Sequence, residues 1–248
     1  MANSSNPALS DKIFERARQN NTNVGNPMTV GGTINKTFIL LLLVLAPAMF
    51  TWNMLYSGTT YQNAGLYIMG GAIGGLIAAI ATIIKPNWSP VSAPIYSVFQ
   101  GLFLGGISAA LNLRFPGIAV QAVALTFGTL GVMLFMYKTG LIKVTEKLRT
   151  GIIAATLAVG LFYFVIMIIS LFGGDTSFYM GNSLLSIGIS LVIVGIAAFN
   201  LLLDFDFIDK GAQMGAPKYM EWFGAFGLMV TLIWLYIEML RLLSKLRD

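Results

Sequence analysis

The chain has 248 residues, 56% of them hydrophobic and only 10% charged, with a net charge of +5. A soluble domain carries about a quarter of its residues as charges, so this composition points to a single polytopic membrane domain. There are no cysteines and no histidines, which removes disulfides, thiolate nucleophiles, Cys/His zinc sites and Ser-His triads.

Residues 1–36 read as a polar, Asn-rich tail without the short apolar core and cleavage site of a signal peptide. Inside it Leu9, Ile13 and Ala17 recur at helical spacing, with Arg16 and Arg18 on other faces. That pattern fits either a short helix lying on the membrane surface or a disordered tail.

Residues 37–248 predict an all-α bundle of seven transmembrane helices. A bilayer core of about 30 Å needs about 20 apolar residues per helix. Seven runs qualify: 37–56, 65–84, 91–112, 118–137, 152–173, 184–205 and 220–243. The connections are short, and Lys85 to Pro90 and Gly211 to Pro217 carry turn chemistry. Pro47 and Pro94 fall inside spans one and three, where a kink is expected. Span two holds Gly70, Gly71, Gly74 and Gly75, and span three holds Gly101 and Gly105. Glycines at this spacing let helix backbones approach closely, here between helices of one chain rather than across a homodimer. The oligomeric state stays open.

Orientation follows from where lysine and arginine fall. The tail and the loops after spans two, four and six hold eleven of them, and the opposite side holds only Arg114, Arg241, Lys245 and Arg247. This predicts a cytoplasmic N-terminus. Basic residues placed between apolar runs set topology, and no nucleic-acid surface is read from them. The lipid bilayer is the expected partner, and no cofactor is expected.

Charge is kept out of the apolar runs until the end of span six, where Asp204, Asp206 and Asp209 crowd together. A carboxylate at mid-bilayer costs at least about 2.5–3.5 kcal/mol, so these acids are the functional lead. At about 100° per residue, Asp204 lies nearly opposite Asp206 and Asp209 and shares its face with Asn200. Asn200 and Asp204 are expected to face the bundle, while Asp206 and Asp209 face cytoplasmic water beside Lys210. Asp204 is the leading ion-binding or gating acid and the candidate Ca²⁺ ligand, with Asp206 as possible help.

Span seven supplies the other candidates. Glu221 begins it, and Glu238 lies near its far end, three residues before Arg241 and within reach of a local ion pair. Gly224, Thr231 and Glu238 recur every seven residues as one small-and-polar stripe that should pack inward. Gln100 and Gln121 are candidate polar lining or interhelix hydrogen-bond partners. Two carboxylates held together cannot both ionise cheaply, so a second acid beside Asp204 would switch charge with pH. Ionised, such a pair offers oxygen ligands to a hard cation such as Ca²⁺.

Several segments together resemble the Bax inhibitor family, closest to its bacterial branch. They are Asn6 to Leu9, Met28 to Thr37, Ala93 to Gly101, Leu203 to Ile208, Tyr219 to Phe223 and Trp234 to Arg241. The resemblance implies a seven-helix fold with the last helix at its centre. For some members it also implies a proton-gated calcium leak controlled by acids in the last two helices. Asp204 matches the sixth-helix acid, with Ile208 four residues later. The seventh-helix position falls on Thr231, Glu238 or Glu221, depending on whether Leu240-Arg241, the Leu-Tyr-x-acid string or topology sets the match. No acid in residues 65–84 matches the one in the family's second helix.

The expected function is therefore a pH-sensitive calcium or cation leak in a bacterial inner membrane. The alternative is a non-transporting regulator that binds other membrane proteins, such as a membrane protease. Enzyme readings are weaker. Gly173-Gly174-Asp175 falls in a loop rather than in a span, and span seven has no mid-depth lysine for a retinal.

Overall fold

The computed structural model describes residues 27–56 and 61–248, with side chains from residue 64 in the second stretch. The surface-helix pattern at Leu9, Ile13 and Ala17, and the resemblance at Asn6 to Leu9, lie outside the described residues. Seven long helices follow in order: α1 (Val30–Tyr56), α2 (Tyr61–Ile84), α3 (Ser89–Arg114), α4 (Ile118–Lys138), α5 (Glu146–Leu171), α6 (Leu184–Gln213) and α7 (Met220–Arg247). All seven have the length and apolar character needed to cross a membrane. Among the described residues the only β-type pairing is an isolated bridge between Pro27 and Pro217.

The starts of α1 and α5 extend past the apolar runs where the chain supplies a cap. Thr29 caps α1, its hydroxyl accepting from the Gly32 N–H at 3.0 Å, so the helix begins inside the stretch assigned to the tail. Thr145 caps α5, accepting from the Leu148 N–H at 3.2 Å, and α5 therefore starts at Glu146 rather than at 152. Ser183 caps α6 in the same way through the Ser186 N–H. Each satisfies an N–H that the first helical turn otherwise leaves without a partner. At Gly117 and Gly215 the chain turns with φ of 83° and 64°, a left-handed conformation that favours glycine.

The last helix is the axle. α7 is the most buried of the seven and packs against α1, α3, α4 and α6. It contributes to the three largest apolar clusters: Leu228, Leu232 and Leu235 to one, Phe226 and Met229 to the second, Met220 and Phe223 to the third. Outward faces keep large apolar side chains such as Phe38, Leu66, Val120 and Leu191 exposed, as lipid contact requires.

Lipid tails are as apolar as leucine, so close backbone approach has to hold the outer helices. A Cβ on Gly101 would fall on the Val44 carbonyl and one on Gly105 on the Ala48 carbonyl, locking α3 to α1. Gly71, Gly74 and Gly75 meet Phe99, Leu102, Phe103 and Gln100, locking α2 to α3, whereas Gly70 faces open space. Intramolecular packing is thus the role of three of the four span-two glycines.

Candidate functional site: a polar seam along the central helix

The acids of α6 and α7 sit in separate surroundings. Asp204 is 4% exposed, and its Oδ2 has no hydrogen-bond partner. The polar group facing it is the Thr231 hydroxyl of α7, which leans back on its own helix toward the Gly227 carbonyl at 3.4 Å. Nearby along the same two helices, Leu201, Phe205, Leu228 and Leu232 belong to one buried apolar cluster. Of the three alternatives at the seventh-helix position, Thr231 is the one that meets Asp204.

Asp206 overturns its expectation. It was expected to face water, yet it is 8% exposed and bound by the Arg149 guanidinium of α5 and by the Lys210 ammonium at 2.9 Å. The reason is the early start of α5, which turns Arg149 from a loop residue into a helical one aimed at α6. Asp209 is partly covered, with the Lys138 ammonium at 3.8 Å. Asn200 also departs from the reading. Its amide donates to the Thr156 hydroxyl of α5 and to the Ile196 carbonyl, both at 2.8 Å, so it serves the α5–α6 contact and not the Asp204 side.

Glu221 is 0% exposed and closes the end of the bundle where α6 stops and α7 starts. Its carboxylate accepts from the Lys36 ammonium at 2.5 Å and the Lys218 ammonium at 2.7 Å. It also accepts from the Thr29 N–H and the Thr29 hydroxyl, both at 2.9 Å. The acid lies at the positive end of α1, where the helix dipole favours an anion. Gly32 is what permits the approach, since a Cβ there would sit inside the carboxylate. The Met28 N–H donates to the Ala216 carbonyl at 2.7 Å, so the segment before α1 is stapled to the α6–α7 turn.

Glu238 is 1% exposed, near the other end. It accepts from the Tyr163 hydroxyl at 2.5 Å and from Arg241 at 3.0 and 3.1 Å. The local ion pair with Arg241 is therefore formed. Arg241 also donates to the Tyr163 hydroxyl at 2.7 Å and to the Tyr179 hydroxyl. Gln100 lies at the α2–α3 contact against Gly75, with its Oε1 unpartnered. Gln121 accepts from Arg247 at 2.7 Å, near the end of the chain.

Two contacts fix the register of α6 against α7. Asp204 faces Thr231, and the Lys245 ammonium donates to the Ser190 hydroxyl at 2.8 Å. The two pairs lie fourteen residues apart on each helix, a multiple of the seven-residue spacing that keeps facing positions of two helices in step. Further along, Gly224 packs against Ile208 of α6 and Thr33 of α1. The predicted stripe Gly224, Thr231, Glu238 is real, and it continues to Lys245.

A model of the "Bax inhibitor 1 like" family matches residues 6–248, nearly the whole chain. The chain belongs to the Bax inhibitor family. No curated protein and no solved structure matches it. Its central last helix is the arrangement the resemblance implies, and Asp204, at the sixth-helix position, is buried. The two-acid contact is not formed among the described residues. Glu221 and Glu238 are held by lysines and by arginine, and Asp204 meets a hydroxyl instead. No three acids, histidines or cysteines among the described residues gather to hold a metal ion.

Sequence reading missed Thr29, Lys36, Lys218, Arg149, Tyr163, Tyr179 and Lys245 as site residues. Two signals were available: the Thr145-Glu146 cap that starts α5 early, and the one further heptad step from Glu238 to Lys245.

Proposed function

We propose that this family member is a cation leak pathway of the bilayer, with Asp204 as its controlling group. The observation that carries the reading is the contrast in counter-charge. Asp206, Glu221 and Glu238 each have a basic partner within the bundle, and Asp204 has only Thr231 beside it. A buried carboxylate without a counter-ion is expensive unless it takes up a proton or a cation. Asp204 is therefore the acid that exchanges one for the other. Protonated, it remains closed against Thr231. Ionised, it draws in water and a cation, Ca²⁺ included, which it meets as a single ligand in passage and not in a resident metal site.

Flux is accordingly expected to rise with pH. One carboxyl, and not a pair, sets the response, so the transition should be one-proton in steepness. The lysine and arginine distribution supports a cytoplasmic location for the Glu221 end, and the resemblance to the bacterial branch makes a bacterial inner membrane the proposed setting. No catalytic step is involved.

The test is Ca²⁺ flux from purified protein in proteoliposomes across a pH series, with Asp204→Asn beside the wild type. The expected result is wild-type flux that rises with pH and an Asn variant at the background of empty vesicles. An Asn variant with unchanged pH dependence overturns the role of Asp204. Purified wild type without flux at any pH favours the competing reading, a regulator that acts on another membrane protein.

A further inference from the structure

Lys245 stands in the last turn of α7. A lysine at such a place ordinarily stretches its ammonium toward water. Lys245 does the reverse. It is 6% exposed, and its ammonium donates to the Tyr179 carbonyl at 2.5 Å, the Ser190 hydroxyl at 2.8 Å and the Ser186 carbonyl at 3.3 Å. An ammonium has three N–H donors, and all three end on oxygens of the protein. The Tyr179 ring lies beneath at 4.2 Å and presents its negative face.

The site is built by three separate parts of the chain. Tyr179 belongs to a single helical turn, Ser177–Met180, that ends at Gly181 and leaves its carbonyl free for outside donors. The Ser186 hydroxyl also donates to that carbonyl at 2.5 Å and fixes its direction. Ser186 and Ser190, one turn apart on α6, are both 0% exposed. The neighbouring charges cancel: Glu238 is bound by Arg241 at 3.0 Å. The pocket around Lys245 therefore holds one net positive charge, in a ring of carbonyl and hydroxyl oxygens above an aromatic face.

We propose that this pocket is a binding site for a monovalent metal cation, of the Na⁺ or K⁺ class, and that Lys245 fills it as a tethered cation. Carbonyl and hydroxyl oxygens are the ligands an alkali ion takes, and they carry no net charge. A divalent ion such as Ca²⁺ prefers carboxylates, and the ammonium's three oxygen ligands include none. Removing the ammonium takes one buried donor from each of these oxygens, leaving the Tyr179 carbonyl with the Ser186 hydroxyl alone, and a single free cation restores both the lost ligation and the charge. In the native chain the tether makes occupancy permanent, and the Ser177–Met180 turn, α6 and α7 stay fastened together.

The experiment uses the full chain, purified in detergent, as wild type and as Lys245→Ala. Apparent Tm is measured in NaCl, KCl and choline chloride at equal ionic strength. Binding to the folded state alone raises stability with ligand concentration. A shift of roughly 2–4 °C is expected once the ion exceeds its dissociation constant about fivefold. The alanine variant should gain this in NaCl or KCl over choline chloride, and the wild type should not. Adding Ser190→Ala to Lys245→Ala should remove most of the gain, because it deletes one ligand. The proposal is overturned by an alanine variant indifferent to the three salts, or by a wild type that responds equally. A double variant that keeps the full gain overturns it too. So does a Lys245→Ala chain that cannot be recovered folded in any of the salts, since no free ion then stands in for the ammonium.

Discussion

The seam between α6 and α7 is finished in opposite ways at its two ends. At Asp204 an acid is buried with an unpartnered oxygen and no cation in contact. At Lys245, two heptads away, a cation is buried with every donor satisfied by protein oxygens. The backbones and the spacing are the same; what differs is whether the chain supplies its own counterpart. One end is fastened, and the other is left needing something from outside. Function is expected at the unfinished end, and stiffness at the finished one.

The largest separation of the two ends comes from substituting Asp204 by an apolar residue. Asp204→Leu removes an unsatisfied buried carboxyl and should raise stability by about 1–3 kcal/mol while abolishing flux. Denaturant or thermal unfolding beside the vesicle assay reads both effects. A stability gain together with lost activity marks a residue kept for function. A destabilised Asp204→Leu would mean that the carboxyl is structurally supported after all.

Arg149→Ala should do the opposite to its own acid. It leaves Asp206 with Lys210 as its remaining basic partner and should cost about 1.5–3 kcal/mol, the usual loss for a hydrogen bond to a charged group. Arg149→Ala combined with Asp206→Asn should recover much of that loss, and the double-mutant cycle measures how much. Equal losses in the single and double variants would refute the pairing.

The contrast between these two aspartates also marks how far the sequence could be read. Seven helices were legible because each apolar run is long enough to span a bilayer and few charges interrupt it. Asp204 was legible as an inward group because helical periodicity alone sets it opposite Asp209. Asp206 was not. Its burial depends on Arg149, which periodicity could not place while α5 was taken to begin where hydropathy rises. Hydropathy marks the membrane and not the helix, and the Thr145 cap carries α5 beyond the apolar run. Lys245 failed for a related reason. A lysine near a chain end reads as a topology charge, and only the Tyr179 carbonyl, supplied by a distant turn, draws it inward. Glu221 was legible as a candidate, whereas its partners Thr29 and Lys36 come from a stretch that composition assigns to the tail.

The glycines offer a smaller and cleaner comparison on the outer helices. Gly105→Ala drives a methyl onto the Ala48 carbonyl, while Gly70→Ala meets nothing. The first should destabilise by about 1–3 kcal/mol through overpacking. The second should stay within about 0.5 kcal/mol or gain slightly from helix propensity. A Gly70→Ala variant that loses flux or dissociates an oligomer would assign that face to a partner helix.

The smallest effect tests how the fastened end is supported. Asp175 lies in the α5–α6 loop and accepts from the Ser177 N–H at 2.7 Å and the Ser177 hydroxyl at 2.9 Å. These bonds, the backbone one first, hold its carboxyl below the usual carboxylate range. A carboxyl depressed in the folded state contributes stability above its unfolded pKa, and the contribution fades as pH falls through the folded value. The Ser177–Met180 turn should therefore fray first in acid, below the ordinary range for aspartate. That turn presents the Tyr179 carbonyl to Lys245, so fraying should loosen the cation's cage without touching Asp204. Hydrogen exchange at the amides of residues 179–181 reads it directly: protection should decline in acid in the wild type. In Asp175→Ala it should be low and flat at every pH. Protection that is equal in both chains would show that the turn is held by Lys245 and Ser186 alone, and that the fastened end needs no support from the loop.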